Sequence, residues 1–89
     1  MRTPVVTGQF KRDVKRMLHR GKDRERLRRV LDRILEGERL EPALRDHWLR
    51  GELKGRRECH VEPDWLLIYL PRESEVVFER TGTHADLFE

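Results

Sequence analysis

One stretch of the sequence decides the fold: Lys54-Gly-Arg-Arg-Glu-Cys-His-Val-Glu-Pro-Asp-Trp-Leu-Leu-Ile-Tyr69. It joins a cluster of ionisable side chains to an apolar run. Residues 65–70 are almost purely apolar, with β-branched and aromatic members, which is typical of a buried strand. Residues 53–62 also show strand character, and Pro63-Asp64 between the two runs is typical of a turn. The stretch therefore predicts two antiparallel strands joined by a short connection.

Two amphipathic helices are predicted before this stretch. The first begins at Thr7 or Gly8 and ends at Gly21, and its apolar residues follow helical spacing: Phe10, Val14, Met17 and Leu18. The second runs from about residue 23 to residue 36 and ends at Gly37, with an apolar side made of Leu27, Val30, Leu31, Ile34 and Leu35. An αα-hairpin of this kind needs an apolar surface to cover, and a sheet provides one.

Short strands at residues 4–6 and 76–81 complete the element order β-α-α-β-β-β. This order predicts an α+β fold, with the helical hairpin on one face of a small, mostly antiparallel twisted sheet. The first strand should lie parallel to a neighbour, and residues 38–49 should form an irregular connector. Eighty-nine residues are enough for one modest core, so a single domain spanning residues 1–89 is expected.

Basic residues are concentrated in the first third of the chain. Residues 1–30 contain eleven Lys and Arg against three Asp and Glu, a charge of +8, whereas residues 31–89 contain nine against fourteen, a charge of −5. This asymmetry favours a polyanionic partner such as RNA or DNA, or an acidic protein, although a solvated helix face explains it equally well.

The remaining composition bears on the compartment. Cys59 is the single cysteine, which excludes an internal disulfide and is typical of a reducing cytosol. No apolar segment approaches the ~20 residues that span a bilayer. We therefore expect a cytoplasmic protein with no membrane partner.

Alternation along residues 57–62 divides the side chains between two sheet faces. Cys59 and Val61 suit the face that the helices cover. The opposite, open face, where a ligand would lie, then receives three ionisable residues: Glu58, His60 and Glu62. On the next strand, Leu66 and Ile68 are expected to anchor the sheet under the helices.

Three of the four histidines can converge on the open face. His60 lies on a central strand, His47 leads into the sheet and His84 follows the last strand. Imidazole accepts and donates protons near neutral pH, which general acid–base catalysis requires. Asp64 could orient a histidine or transfer a proton itself, and Arg80 could hold a phosphate with its planar guanidinium.

Other chemistries have weaker support in the sequence. Trp65 and Phe88 could stack a nucleobase, although aromatic residues at such positions are more often part of a core. The histidines lack the His-x-His or HExxH spacing of a tight metal site, so no metal is expected. From the residues alone, an acid–base site acting on RNA and a plain binding module both remain open.

Strict alternation creates one conflict on the last strand. If Val76 and Phe78 face the helices, Arg80 should do so too, away from the histidines. A role for Arg80 on the open face therefore requires a bulge or a strand end near Glu79.

Three segments together carry a resemblance that covers essentially the whole chain: Asp46-His47-x-Leu49-x-Gly51, Lys54-Gly55-x-Arg57-Glu58-Cys59-His60-Val61-x-Pro63-Asp64-Trp65-Leu66-Leu67-Ile68-Tyr69, and Arg80-Thr81-Gly82-Thr83-His84-x-Asp86-Leu87-Phe88. They closely resemble the YafQ-type toxins of the RelE/ParE superfamily of bacterial type II toxin–antitoxin systems. The resemblance implies the RelE-like fold, which agrees with the predicted element order.

The resemblance also implies a function and a set of site residues. It implies an endoribonuclease, an mRNA interferase, that cuts mRNA in the ribosomal A site without a metal or other cofactor. The family's catalytic residues fall on His47, His60, Asp64 and His84, and its supporting residues fall on Trp65, Arg80 and Phe88. We expect Arg80 to take part in catalysis, and we expect the substrate contacts to be Trp65, Phe88, Lys54 and Arg57. The implied partners are a cognate antitoxin that inhibits the toxin, the ribosome with its RNA, and mRNA.

Two alternatives share the same scaffold. One is a ParE-like inhibitor of DNA gyrase, which binds without catalysis and needs no proton-transfer groups. The other is an inactive toxin homologue that acts only as an antitoxin-binding partner.

Overall fold

A five-stranded sheet and three helices make up the structure, a computed structural model that describes residues 1–89. The elements in chain order are β1 (Thr3–Val6), α1 (Gly8–His19), α2 (Arg24–Leu35), β2 (His47–Trp48), β3 (Arg57–Glu62), β4 (Trp65–Pro71), β5 (Glu75–Gly82) and α3 (His84–Phe88). The strand order is β1-β5-β4-β3-β2, with β1 parallel to β5 and every other pair antiparallel. The predicted α+β fold with a parallel first strand is confirmed.

The helices α1 and α2 form where the sequence predicts them. Each begins at a polar N-cap, Thr7 or Asp23, whose side chain accepts a hydrogen bond from a backbone N–H of the first turn. Beyond each helix a glycine, Gly21 or Gly37, adopts a positive φ of 92° or 76°, which a residue without Cβ does most readily. None of the three helices has the length and apolar character needed to cross a membrane.

One hydrophobic core lies between the αα-hairpin and the sheet. The hairpin and its connector contribute Phe10, Met17, Leu27, Val30, Ile34, Leu35 and Leu40, and the sheet contributes Cys59, Val61, Trp65, Leu67, Tyr69, Val76 and Phe78. Cys59 and Val61 therefore face the helices as predicted.

The expected placement of Leu66 and Ile68 under the helices is wrong. Leu67 pairs with Cys59 across the two strands, and directly paired residues share a face of the sheet. Leu66 and Ile68 therefore lie on the other face, where they are also buried.

A register irregularity in β3 lies between His60 and Glu62. Past this point Glu62 no longer follows the alternation, and its carboxylate contacts Lys22 at 2.8 Å and Arg26 at 3.0 Å on the helical side. The expectation that Glu62 lies on the open face is therefore wrong. These hydrogen bonds, that from Lys22 first, lower the pKa of Glu62 and tie the end of β3 to the helices.

A second register shift lies in β5. Tyr69 pairs with Phe78 but the preceding Ile68 pairs with Arg80, so Glu79 is the extra residue of a bulge. Arg80 consequently shares a face with Ile68, on the open side. The bulge that the sequence requires near Glu79 is confirmed.

Two short elements, β2 and α3, were not predicted. β2 has two residues within the expected irregular connector, and it pairs His47 with Glu58 at the edge of the sheet. α3 has five residues, and its N-cap Thr83 forms a reciprocal capping box with Asp86. Leu53, expected to start β3, instead ends a 3-10 turn over residues 51–53, so that strand begins at Arg57. Both short elements carry a histidine toward the open face.

Candidate active site

Cross-strand pairing aligns the ionisable residues on the open face in two rows. The first row runs across four strands through His47, Glu58, Ile68 and Arg80. In the neighbouring row, His60 pairs with Leu66. Because directly opposed residues point to the same side, the sheet itself brings His47, His60 and Arg80 together.

Asp64 holds His84 from the tight connection between β3 and β4. Its Oδ1 accepts hydrogen bonds from the His84 backbone N–H at 2.9 Å and from Nδ1 of the ring at 2.7 Å. These bonds, the backbone one first, lower the pKa of Asp64 below its ordinary value. The contact fixes a proton on Nδ1 of His84 and leaves Nε2 free for proton exchange. A carboxylate orients the imidazole of a Ser-His-Asp triad in the same way.

His60 faces His84 across the site. The ring centroids are 5.8 Å apart and the planes are inclined by 60°. Nδ1 of His60 lies 3.2 Å from the carbonyl oxygen of Pro63, and Nδ1 of His47 lies 2.7 Å from that of Arg45. Since a carbonyl only accepts, both Nδ1 atoms carry protons. The three predicted histidines therefore converge, each held through Nδ1.

Arg80 is held by Asp13, a residue that the sequence analysis missed. The Asp13 side chain is 0% exposed. Its carboxylate accepts bonds from Nε of Arg80 at 2.7 Å and from the Thr81 backbone N–H at 3.1 Å, with further bonds from Gln9 and Arg16. Burial raises the pKa of Asp13, but the hydrogen bonds outweigh it and the net pKa is lowered. Asp13 thus remains ionised and fixes the guanidinium at the end of β5.

A signal for Asp13 was present in the sequence. It lies three residues after Phe10 and four before Met17, so helical geometry puts it on the buried stripe of α1. A carboxylate at such a position needs a buried cationic partner.

The short helix α3 carries His84 and is fastened to α1 through Asp86. Arg20 donates two hydrogen bonds to Asp86 at 2.7 and 3.1 Å, and these together with the Thr83 backbone N–H lower the pKa of Asp86 strongly. Gly82 makes the close approach possible, because a Cβ there would lie 2.9 Å from Cβ of Asp86. The position of His84 therefore depends on contacts with α1 as well as on Asp64.

The expectation that Trp65 stacks on a nucleobase is wrong. Its side chain is 0% exposed and belongs to the core under the helices. The indole Nε1 donates to Oγ1 of Thr81 at 2.9 Å, and that hydroxyl donates to the Leu66 carbonyl at 2.7 Å. The reason is the alternation along β4, in which Trp65, Leu67 and Tyr69 all face the helices. No surface of the ring is available to a nucleobase.

We expect Trp65→Phe to weaken the fold far more than the chemistry. The change removes the indole hydrogen bond and leaves a small cavity, for a loss of about 2 kcal/mol in the free energy of unfolding. Urea denaturation measures this loss, and RNA cleavage assayed well below the unfolding temperature should change less than threefold. A folded variant that cleaves RNA tenfold more slowly would instead indicate that Trp65 contacts the substrate.

Arg57 lies on the helix-side face of the sheet, with Cys59. It contacts Asp46 at 3.1 Å and its guanidinium lies 4.5 Å from the ring centroid of Trp48, and both contacts are on the helix-side face of the sheet. Strand alternation separates it from Glu58 and His60, so it is not part of the histidine site. Lys54 is exposed in the segment before β3, and Phe88 is 49% exposed at the end of α3.

The structure offers few residues for a metal or a nucleophile. No three histidine, cysteine, aspartate or glutamate side chains are grouped as metal ligands. Cys59 is fully buried, and burial raises the pKa of its thiol far above the ordinary value. The arrangement is best suited to proton transfer by imidazoles beside a fixed guanidinium.

Comparison with known proteins assigns the family. A family model described as "Bacterial toxin of type II toxin-antitoxin system, YafQ" matches residues 2–89. The chain belongs to the YafQ family. The mRNA interferase toxin YafQ of Escherichia coli K12 is 45% identical over 83 residues, which cover 92% of this chain and 90% of that YafQ protein.

Solved structures agree with the assignment to the YafQ family. YafQ in the E. coli DinJ–YafQ toxin–antitoxin complex has a TM-score of 0.92 and 42% identity, over 99% of this chain and 98% of that one. A copper-bound mutant toxin from Helicobacter pylori has a TM-score of 0.95 and 35% identity, over 99% of this chain and all of that one. The predictions of a YafQ-type toxin of a type II system and of an mRNA interferase are confirmed.

Proposed function

We propose that this chain is a ribosome-dependent endoribonuclease that cuts mRNA in the A site without a metal ion. The observation that carries the proposal is the pair of imidazoles of His60 and His84, 5.8 Å apart between ring centroids, with His60 on the sheet face opposite the αα-hairpin. Displacement at phosphorus needs a base for the attacking oxygen and an acid for the leaving oxygen. Two facing imidazoles can supply both.

The reaction proceeds by attack of the 2′-hydroxyl on the adjacent phosphate. One imidazole takes the 2′-hydroxyl proton as the bond from that oxygen to phosphorus forms. The other gives a proton to the 5′-oxygen as its bond to phosphorus breaks, which leaves a 2′,3′-cyclic phosphate and a 5′-hydroxyl. Asp64 orients His84, and His47 assists from β2. Arg80, fixed by Asp13, stabilises the negative charge of the phosphorane.

Substrate contacts surround this centre. Phe88 exposes its ring beside His84 on α3 and can stack a base, and Lys54 can contact the RNA backbone. Exposed cations on the outer faces of α1 and α2 are placed to meet ribosomal RNA: Lys11, Lys15, Arg24 and Arg29. Such phosphate contacts weaken steeply as salt concentration rises.

A cognate antitoxin is the expected inhibitor, and residues 1–89 act as one toxin domain. The support is the family and the E. coli YafQ structure in complex with DinJ. We place the action in the bacterial cytoplasm, where mRNA is translated.

Primer extension on mRNA from cells that express the chain tests the proposal. We expect cuts at fixed positions relative to the reading frame, only in translated messages. With purified ribosomes at constant Mg²⁺, they should persist after the toxin alone has been stripped of metal with EDTA and desalted. Co-expression of the antitoxin should abolish them. Equal cleavage of RNA without ribosomes would contradict ribosome dependence. Intact mRNA together with DNA damage and supercoiling defects would instead indicate the gyrase-inhibitor alternative.

A further inference from the structure

Glu58 is a nearly buried carboxylate on the open face that the proposed mechanism does not use. Its side chain is 9% exposed, and its Oε1 lies 3.6 Å from Nε2 of His47 and 3.6 Å from Nε2 of His60. His47 is its cross-strand partner and His60 follows two residues later in β3, so all three side chains point to one side. One carboxylate oxygen therefore faces two imidazoles.

The other charged groups near Glu58 already have partners. Arg56 pairs with Glu79, Arg57 with Asp46, and Arg80 in the same row with Asp13. Across β4 the direct partner of Glu58 is the apolar Ile68. The only groups within ion-pair distance of Glu58 that can carry a positive charge are therefore the rings of His47 and His60, each of which is a cation only when protonated.

The hydrogen bonds at Nδ1 determine what Glu58 can do. Nδ1 of each ring faces a carbonyl oxygen and so carries a proton. In a neutral ring, the Nε2 lone pair would then face the carboxylate and be repelled. A second proton on Nε2 turns this repulsion into attraction, so Glu58 favours the imidazolium form of both rings.

We propose that Glu58 is a positioning residue that holds His60 and His47 as imidazolium ions and thereby makes His60 the general acid of the reaction. The base is then His84, whose Nε2 is free because Asp64 accepts the proton on its Nδ1. His60 gives its proton to the 5′-oxygen, and Glu58 steers the ring and favours its reprotonation. This inference rests on the proposed ribonuclease function.

Glu58→Gln tests the proposal, because it keeps the shape of the side chain and removes its charge. Glu52→Gln, at an exposed position in the 3-10 turn 51–53, is the matched control. Long-range ¹H–¹⁵N spectra of the imidazoles in the free protein report the charge and tautomer of each ring. We expect the ratio of imidazolium to neutral ring at a fixed pH to fall about threefold or more for His47 and His60. The ratio for His19 should not change.

The second readout is the pH profile of RNA cleavage. Without the Glu58 charge, the general acid loses its proton at a lower pH. In Glu58→Gln the alkaline limb of the kcat profile should therefore shift to lower pH by about half a pH unit or more. KM should change little, and the Glu52→Gln profile should match the wild type. A displaced limb with unchanged KM supports the proposal, since a merely structural role would lower activity equally at every pH.

Two results would overturn the proposal. One is a set of His47 and His60 spectra unaffected by Glu58→Gln, and the other is a wild-type spectrum in which the neutral rings carry their proton on Nε2. The second result needs only the wild-type protein, so it can overturn the proposal even if the variant does not fold. The spectra need no RNA, so they measure the coupling of Glu58 to the histidines whether or not the chain cuts mRNA. A chain that fails to cut mRNA would contradict the ribonuclease proposal alone.

Discussion

His84→Ala should abolish growth arrest and lower the rate of mRNA cleavage on ribosomes by about 10²–10⁴-fold, the usual contribution of a general acid or base. The change removes the Nε2 atom that we propose exchanges the proton, and it removes the imidazole partner of Asp64. The substitution lies at the first residue of α3, in an exposed position, so the core should be unaffected. Primer extension with purified ribosomes measures the rate, and growth after induction measures toxicity.

His19→Ala is the matched control for this prediction. His19 is an exposed residue of the last turn of α1, and it takes no part in the site. This variant should remain fully toxic. A His84→Ala variant that stays toxic and cuts translated mRNA at the normal rate would contradict the site assignment.

Asp13→Asn should lower the free energy of unfolding by about 3 kcal/mol at pH 7 and also lower the cleavage rate. The substitution removes the charge from a buried ion pair, which leaves Arg80 without its partner, and such losses are typically about 3–5 kcal/mol. It also replaces one of the two acceptor oxygens by an NH₂ donor, so that the donors on that side, of Arg80 and Thr81 or of Gln9 and Arg16, lose their acceptor. Arg80 would then lose the orientation that its proposed role requires. Urea denaturation gives the stability change, and Asp32→Asn on the exposed side of α2 should change it by less than about 0.5 kcal/mol.

The stability difference between the wild type and Asp13→Asn should depend on pH. The pKa of Asp13 is lower in the folded state than in the unfolded chain, where it is about 3.9. The carboxylate therefore contributes stability above that pH, and the contribution is lost as pH falls through the folded value. The two proteins should differ most near neutral pH and converge in acid. A constant difference down to acidic pH would show that charge is not the cause.

The long elements could be predicted because their periodicity is strong. Phe10 and Met17 in α1, and Leu27 and Ile34 in α2, are each seven residues apart, which is two helical turns, and residues 65–70 form an uninterrupted apolar strand. The convergence of His47, His60, Asp64 and His84 followed from motif resemblance together with strand order.

What the sequence did not predict comes from local irregularities. The bulge in β3 turns Glu62 toward the helices, and alternation alone cannot locate a bulge before the partner strand is known. Trp65 was misplaced for another reason: residues 65–70 are apolar on both faces, so the sequence of β4 does not show which face the helices cover. β2 is too short for periodicity, although Thr83 and Asp86 at capping-box spacing could have indicated α3. Asp13 was overlooked because aspartate is usually a surface residue, and its cation Arg80 is 67 positions away.

The two tryptophans occupy opposite environments, and this gives the protein a built-in optical readout. The indole of Trp65 is enclosed and bonded to Thr81, whereas Trp48 at the sheet edge is 59% exposed to water. Indole emission moves to longer wavelength when water can relax around the excited ring. Unfolding should therefore red-shift the light from Trp65 alone, while a protein docking at the β2 edge should blue-shift or quench Trp48. The intrinsic tryptophan fluorescence of a single unlabelled sample can then report both unfolding and partner binding.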